Sequence, residues 1–262
     1  MADFSSHQAG TFCWSELCTH NWQQGKEFYT ALFGWGVDDQ PIGSDMFYTM
    51  LQKEGVDIAA MYQMEAARIE LDLPSHWLNY IAVDDVDVVA EKAQALGARL
   101  IHGPHAVGDS GKMALFEEPQ GAVFAIWQGI AHPGARKLNE LGTMCWNELA
   151  TKNAEQSRAF YCQLFDWQSE VEDMEGMLYT QFKIGSNPVA GMLEMNEEWG
   201  DIPAHWMTYF AVDDCDAMAE QATQLGGIVC VPPTTIKNVG RFSVITDPQG
   251  AVFSIIELET QQ

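Results

Sequence analysis

The segment GTFCWSELCT, Gly10 to Thr19, returns as GTMCWNELAT, Gly142 to Thr151, at an offset of 132 residues. FYTALFGW from Phe28 returns as FYCQLFDW from Phe160 in the same register. Further along, PSHWLNYIAVDD from Pro74 matches PAHWMTYFAVDD from Pro203, and EPQGAVFAIW from Glu118 matches DPQGAVFSII from Asp247, both at an offset of 129. Matched units this long are whole domains, because solenoid repeats run to roughly 20–50 residues. The chain therefore reads as a tandem duplication, with one domain over residues 1–131, a linker over 132–140 and a second domain over 141–262. The linker HPGARKLNE opens with Pro133, Gly134 and Ala135, continues into charges and lacks apolar periodicity, as expected of a surface connection.

Each copy alternates strand and helix signals. Thr11 to Cys18 reads as a strand, and Asn21 as the N-cap of a helix that turns Phe28, Tyr29, Leu32 and Phe33 inward and stops at Gly34. Strands are expected near Met46 to Leu51, Val56 to Tyr62 and Trp77 to Val83. Asp84 or Asp85 caps a second helix that ends at Gly97, and strands near Lys112 to Phe116 and Ala122 to Trp127 flank the turn EPQG. The second copy repeats the caps at Asn153 and at Asp213 or Asp214, with the stop at Gly226. The expected class is α+β, with two βαβββ units per copy.

Composition narrows the function. The 262 residues are 47% apolar, enough for two cores. A formal charge of −24, from 37 acidic against 13 basic side chains, repels phosphate backbones and anionic head groups, so neither nucleic acid nor a membrane is expected as a partner. No apolar window approaches the roughly 18 residues of a membrane span, and MADFSSHQAG has no basic start or apolar core. The expected compartment is the cytoplasm. The six cysteines lack CxxC spacing and read as reduced core residues.

The order of motifs, with FYxxLFGW ending the first helix, YxAVDDVD opening the second and (D/E)PxGAxF before the last strand, resembles the vicinal oxygen chelate superfamily of glyoxalases, bleomycin-resistance proteins and extradiol dioxygenases. The resemblance spans nearly the whole chain in both copies. It implies cupped, mixed sheets enclosing a small-molecule cavity, with helices on the convex side. In metal-dependent relatives, His and Glu ligands arise at fixed counts from these motifs. Applied here, the counts fall on Trp14, Leu78 and Ala125 in the first copy and on Trp146, Met207 and Ser254 in the second. Indole, thioether and alkyl groups are poor partners for a hard or borderline ion, so no cofactor is expected at the usual positions.

Strand alternation places Trp14 and Glu16 on one face, and likewise Trp146 and Glu148. By the same parity His76, Leu78 and Tyr80, or His205, Met207 and Tyr209, share a face. Each cup would then hold an indole, a carboxylate, an imidazole and a phenol, a set that suits a small aromatic or carbonyl compound. Glu16 and Glu148 are the candidate catalytic residues; Trp14, His76, Tyr80, Trp146, His205 and Tyr209 are the candidate ligand contacts. The bland readings stand beside these: a carboxylate satisfied by backbone or tyrosine groups, histidines that begin strands, and tryptophans that fill a repeated core. Cys13 and Cys145 fall on the opposite face. Met61, Met64, Met192 and Met195 recur at matching places and are read as core filler or the edge of a cavity.

Three functions follow as expectations. The first is a glyoxalase-like protein binding a small molecule in each cup without a metal, as enzyme or sequestering protein. The second is a metal-dependent lyase or dioxygenase using Glu and His from other strand positions, and the third an antibiotic-sequestering or scaffold protein. Monomer and homodimer both fit the duplication.

Overall fold

The computed structural model describes residues 3–44, 46–174 and 176–259. The extreme ends of the domain bounds read from the sequence, Met1, Ala2 and residues 260–262, lie outside it. The first copy runs β1 (Phe12–Thr19), α1 (Trp22–Phe33), β2 (Gly36–Pro41), β3 (Phe47–Lys53), β4 (Val56–Gln63), α2 (Ala66–Glu70), β5 (His76–Ala82), α3 (Val86–Ala95), β6 (Arg99–Val107), β7 (Gly111–Glu117) and β8 (Val123–Gly129). The second runs β9 (Met144–Thr151), α4 (Ala154–Phe165), β10 (Gln168–Met174), β11 (Met177–Ile184), β12 (Asn187–Glu194), β13 (His205–Ala211), α5 (Cys215–Gln224), β14 (Ile228–Ile236), β15 (Gly240–Thr246) and β16 (Val252–Leu258).

Each copy forms one eight-stranded mixed sheet, ordered β2-β3-β4-β1-β5-β8-β7-β6 and β10-β11-β12-β9-β13-β16-β15-β14. The first strands of the two βαβββ units, β1 and β5, lie antiparallel at the centre, and each joins its own unit through a parallel pair, β1 with β4 and β5 with β8. All eight residues of β1 are buried, which fits its run of apolar and small residues in mid-sheet.

Capping chemistry fixes the helices where the sequence places them. The Asn21 side chain accepts from the Gln24 N–H, Gly34 closes α1 in the left-handed region at φ 68°, and Asp85 accepts from the N–H groups of Asp87 and Val88. Asn153 and Asp214 do the same for α4 and α5. The sequence reading omits β2, β6, β10 and β14. These lie at the sheet edges, and β2, GVDDQP, is exposed throughout, so no buried face imprints an alternation on it.

The convex faces of the two sheets pack on each other with the helices exchanged between them. Phe28, Tyr29 and Phe33 of α1 meet Phe253 of the second copy at ring centroid distances of 6.2, 5.4 and 6.1 Å. In return, Phe160, Tyr161 and Phe165 of α4 meet Phe124 at 6.0, 5.6 and 6.2 Å. The Trp35 indole donates to the Gly142 carbonyl at 2.7 Å, and the Trp167 indole donates to the Gly10 carbonyl at 2.9 Å. One hydrophobic core therefore runs through both copies.

The turn tetrads join this seam. The Asp247 carboxylate accepts from the N–H groups of Gln249 and Ala251 within its turn, and also from the Tyr29 hydroxyl at 3.0 Å, across the interface. The Trp77 indole donates to the same hydroxyl at 2.9 Å.

The linker is not a surface tether. Ala135 is fully buried and its N–H donates to the Cys13 carbonyl at 2.7 Å, while the Arg136 N–H donates to the Asp57 carbonyl at 2.8 Å. Gly134 has φ 111°, and a Cβ there would lie 2.4 Å from the Cys13 carbonyl oxygen. Gly134→Ala is expected to cost about 1–3 kcal/mol through strain and lost inlay. An unchanged urea midpoint would contradict the inlaid linker.

Candidate functional site

The concave floor of the first sheet is laid out by the β1/β5 register, in which Trp14 faces Tyr80, Glu16 faces Leu78 and Cys18 faces His76. The second floor repeats it, with Trp146 facing Tyr209 and Glu148 facing Met207. The parity read from the sequence thus holds in both copies.

Glu16 is 6% exposed and sits between two phenols. The Tyr48 hydroxyl donates to its Oε2 at 2.8 Å and the Tyr80 hydroxyl to its Oε1 at 2.7 Å. The Trp14 indole N–H donates to the Tyr48 hydroxyl at 3.1 Å. Burial pushes the Glu16 carboxyl above its ordinary range, against the pull of Tyr80, Tyr48 and Tyr62 and the more distant Arg68. Burial and the Glu16 charge hold Tyr48 and Tyr80 well above the usual phenol range, so both remain neutral donors.

The second cup is built alike. The Tyr209 hydroxyl donates to Glu148 Oε1 at 2.9 Å, and the Trp146 indole donates to the Tyr179 hydroxyl at 3.1 Å. Burial raises the Glu148 carboxyl, and Tyr179 and Tyr209 pull it back down. Among the described residues neither glutamate forms an ion pair. The tyrosines on the third strand of each first module, Tyr48 and Tyr179, are the site residues the sequence reading missed. Their signal was present as a second matched tyrosine at an offset of 131, but the reading fixed facing parity only for the central strands.

Gly191 lies beside Glu148 on β12, where a Cβ would stand 1.8 Å from the Tyr179 hydroxyl oxygen and 3.0 Å from the Trp146 indole nitrogen. The first copy has Ala60 at this place. Gly191→Ala is expected to push Tyr179 off Glu148, costing about 1–3 kcal/mol and altering ligand binding in the second cup alone. A variant with wild-type stability and binding would show that Tyr179 is not held there.

The structure does not bring the histidines to the glutamates. His76 Nδ1 is bonded to the Pro74 carbonyl at 2.8 Å, and His205 Nδ1 to the Pro203 carbonyl at 2.8 Å. Burial lowers both imidazoles below their ordinary range, against the backbone bonds. Cys13 and Cys145 stand at irregularities in the β1/β5 and β9/β13 registers, so the alternation that set them opposite Trp14 and Trp146 does not hold there, and Cys145 packs against the cluster of Met207 and Tyr209. Each thiol is bonded to a main-chain carbonyl, and burial pushes the Cys145 thiol up to about 12. Met61 and Met192 are fully buried and face the same way as Leu17 and Leu149, toward the helices, so they do not edge the cups. Two cavities, of about 320 and 340 Å³, lie along the seam between the copies.

At the places where the resemblance positions metal ligands, the floor carries Trp14, Leu78 and Ala125, and Trp146, Met207 and Ser254. Among the described residues no group of three or more His, Cys, Asp or Glu side chains gathers as a metal site would require. Each cup offers one carboxylate already shared by two phenols. This donor set does not fit a divalent ion of the kind the superfamily uses.

Two cupped sheets of paired βαβββ units, each with its carboxylate on the concave floor, define the class. The sequence model of the Glyoxalase/Bleomycin resistance protein/Dioxygenase superfamily matches residues 12–126 and 129–255, and the chain belongs to that superfamily. It is 40% identical over 260 residues to the glyoxylase-like protein CFP32 of Mycobacterium tuberculosis, covering 98% of each chain. It is also 33% identical to the anthracycline biosynthesis protein DnrV of Streptomyces peucetius, over 95% of this chain and 94% of that one.

In fold it is similar to the Mn(II)-bound glyoxalase of Novosphingobium aromaticivorans, with a TM-score of 0.65 at 16% identity, covering 100% of this chain and 87% of that one. The 2,3-dioxygenase LapB of Pseudomonas sp. KL28 superposes with a TM-score of 0.66 at 13% identity, covering 98% and 95%. No helix among the described residues is long and apolar enough to cross a membrane.

Proposed function

We propose that each cup binds a small aromatic or carbonyl compound on its Tyr–Glu–Tyr floor, and that the glutamate, not a metal ion, supplies the chemistry. The observation that carries this is the duplicated clamp. A buried carboxylate held between two neutral phenols, without an ion-pair partner among the described residues, stands at the same place in both copies. Burying a carboxylate is costly, and a repeated core could be filled by an apolar residue at lower cost.

The phenols occupy part of the carboxylate's acceptor capacity, and its remaining lone pairs are the groups a ligand proton would meet. A phenolic O–H, or an acidic C–H beside a carbonyl, is the ligand group that matches. A carboxyl that burial raises above its ordinary range suits a general base that accepts such a proton and returns it. The Trp14 and Trp146 indoles supply the flat apolar contact. The protein would work in the cytoplasm, where its six unpaired cysteines stay reduced.

The test is a tryptophan-fluorescence titration with hydroxyacetophenone and with a dihydroxyanthraquinone, the latter suggested by the anthracycline biosynthesis relatives. Saturable binding that is lost when Glu16→Gln and Glu148→Gln are combined is the expected result. Failure of both probes to bind, or binding indifferent to the double substitution, would defeat the proposal.

A further inference from the structure

The duplication provides an internal comparison between two equivalent wedges, and among the described residues only one of them holds a peptide segment. In the first sheet the parallel pair β1/β4 begins at Glu16 and Ala60, so Cys13 and Trp14 splay away from Asp57. The linker is inlaid in this opening. His132 stands edge-on to the Trp14 indole, with centroids 4.7 Å apart. The N–H groups of Ala135 and Arg136 donate to the carbonyls of Cys13 and Asp57 at 2.7 and 2.8 Å.

In the second sheet the pair β9/β12 begins at Glu148 and Gly191, and Cys145, Trp146 and Pro188 stand where Cys13, Trp14 and Asp57 stand in the first. Among the described residues no linker-like segment donates to the carbonyls of Cys145 or Pro188. The opening is instead the cavity of about 320 Å³, with Cys145, Trp146, Asn147 and Pro188 on one side and His7 and Asn139 among the residues on the other. No Asp, Glu, Lys or Arg side chain lines it. Asn147 is 3% exposed, and its Oδ1 is buried without a hydrogen-bond partner among the described residues. A buried acceptor left unpaired costs free energy that an incoming N–H would recover.

We propose that the β9/β12 wedge is a binding site for a neutral segment carrying a flat ring and amide N–H donors, the chemistry that the linker presents to the first wedge. The ring lies against the Trp146 indole, and the N–H groups donate to the carbonyls of Cys145 and Pro188 and to Asn147 Oδ1. The absence of charged side chains selects an uncharged ligand, because an ion would lose hydration with nothing to replace it. The volume falls at the lower end of the range for small-molecule sites. Such a ligand can be an extended peptide or a compact aromatic amide. This site shares the Trp146 indole with the second cup but uses neither Glu148 nor its phenols, so its test does not depend on the carboxylate chemistry.

Calorimetric titration of the full chain uses two probes, a capped peptide copied from the linker with glutamine in place of its charged arginine, acetyl-Ala-His-Pro-Gly-Ala-Gln-amide, and the compact amide N-acetyltryptophanamide. Saturable binding of either one, weakened at least about tenfold by Val189→Arg, which fills the wedge from β12, supports the proposal. Ser6→Trp fills it from the exposed N-terminal segment and should weaken binding likewise, so a folding defect in one variant leaves the other decisive. Peptide binding alone identifies an extended segment as the natural occupant, and amide binding alone a small molecule. No saturation by either probe at millimolar concentration, or binding unaffected by the filled wedge, overturns the proposal.

Discussion

Replacing Trp77 or Trp206 by alanine should cost about 3–5 kcal/mol each and should unfold both copies together. Trp206 is 7% exposed, packs edge-on to Phe12 of the first copy at 5.0 Å and donates to the Tyr161 hydroxyl at 2.8 Å. Trp77 meets Phe210 of the second copy at 5.2 Å and donates to Tyr29, which reaches on to Asp247. Each indole is therefore a core residue of one copy and an interface residue of the other. Because the apolar cluster is continuous, the loss cannot be confined to the copy that carries the substitution. Guanidinium unfolding followed by fluorescence and by circular dichroism should show one coincident transition, shifted to lower denaturant. Two separated transitions would mean that the copies fold as independent domains.

Glu16→Gln and Glu148→Gln should abolish proton transfer, a loss of about 100-fold or more in any turnover that depends on it, while making the protein more stable at alkaline pH. The sign follows from burial. Both carboxyls are raised in the folded protein, so folding favours their protonated forms. Their contribution to stability is fully present below the ordinary glutamate value and is lost as pH rises through the raised folded value. Glutamine carries no charge to lose, so the stability advantage of the double variant should grow across that window and then level off. Thermal melts of both proteins over a pH series read this directly. A wild type that gains stability over the variant with rising pH would show that the carboxylates are structural anchors.

Fold and class were legible because the signals are local and doubled. Asn21, Gly34, Asp85, Asn153 and Asp214 occupy the capping positions their chemistry suggests. The pairing of Trp14 with Glu16, and of Trp146 with Glu148, on one face needed only strand alternation. What stayed hidden depends on contacts far apart in sequence. Tyr48 and Tyr179 reach the glutamates from strands two places away in the sheet. The second role of Asp247, as acceptor for Tyr29, arises only when the copies dock. Ala135 is buried by the fold around a stretch whose composition reads as linker. His76 and His205 share the right strands but turn to the carbonyls of Pro74 and Pro203, a local bond that parity alone does not reveal.

The most direct test of a metal-free carboxylate site is the binding isotherm of one aromatic carbonyl ligand, measured on the same protein in excess chelator and then with added manganese, iron or zinc. Superimposable curves are expected in every condition. Binding that vanishes in chelator and returns with one of these ions would contradict a metal-free site.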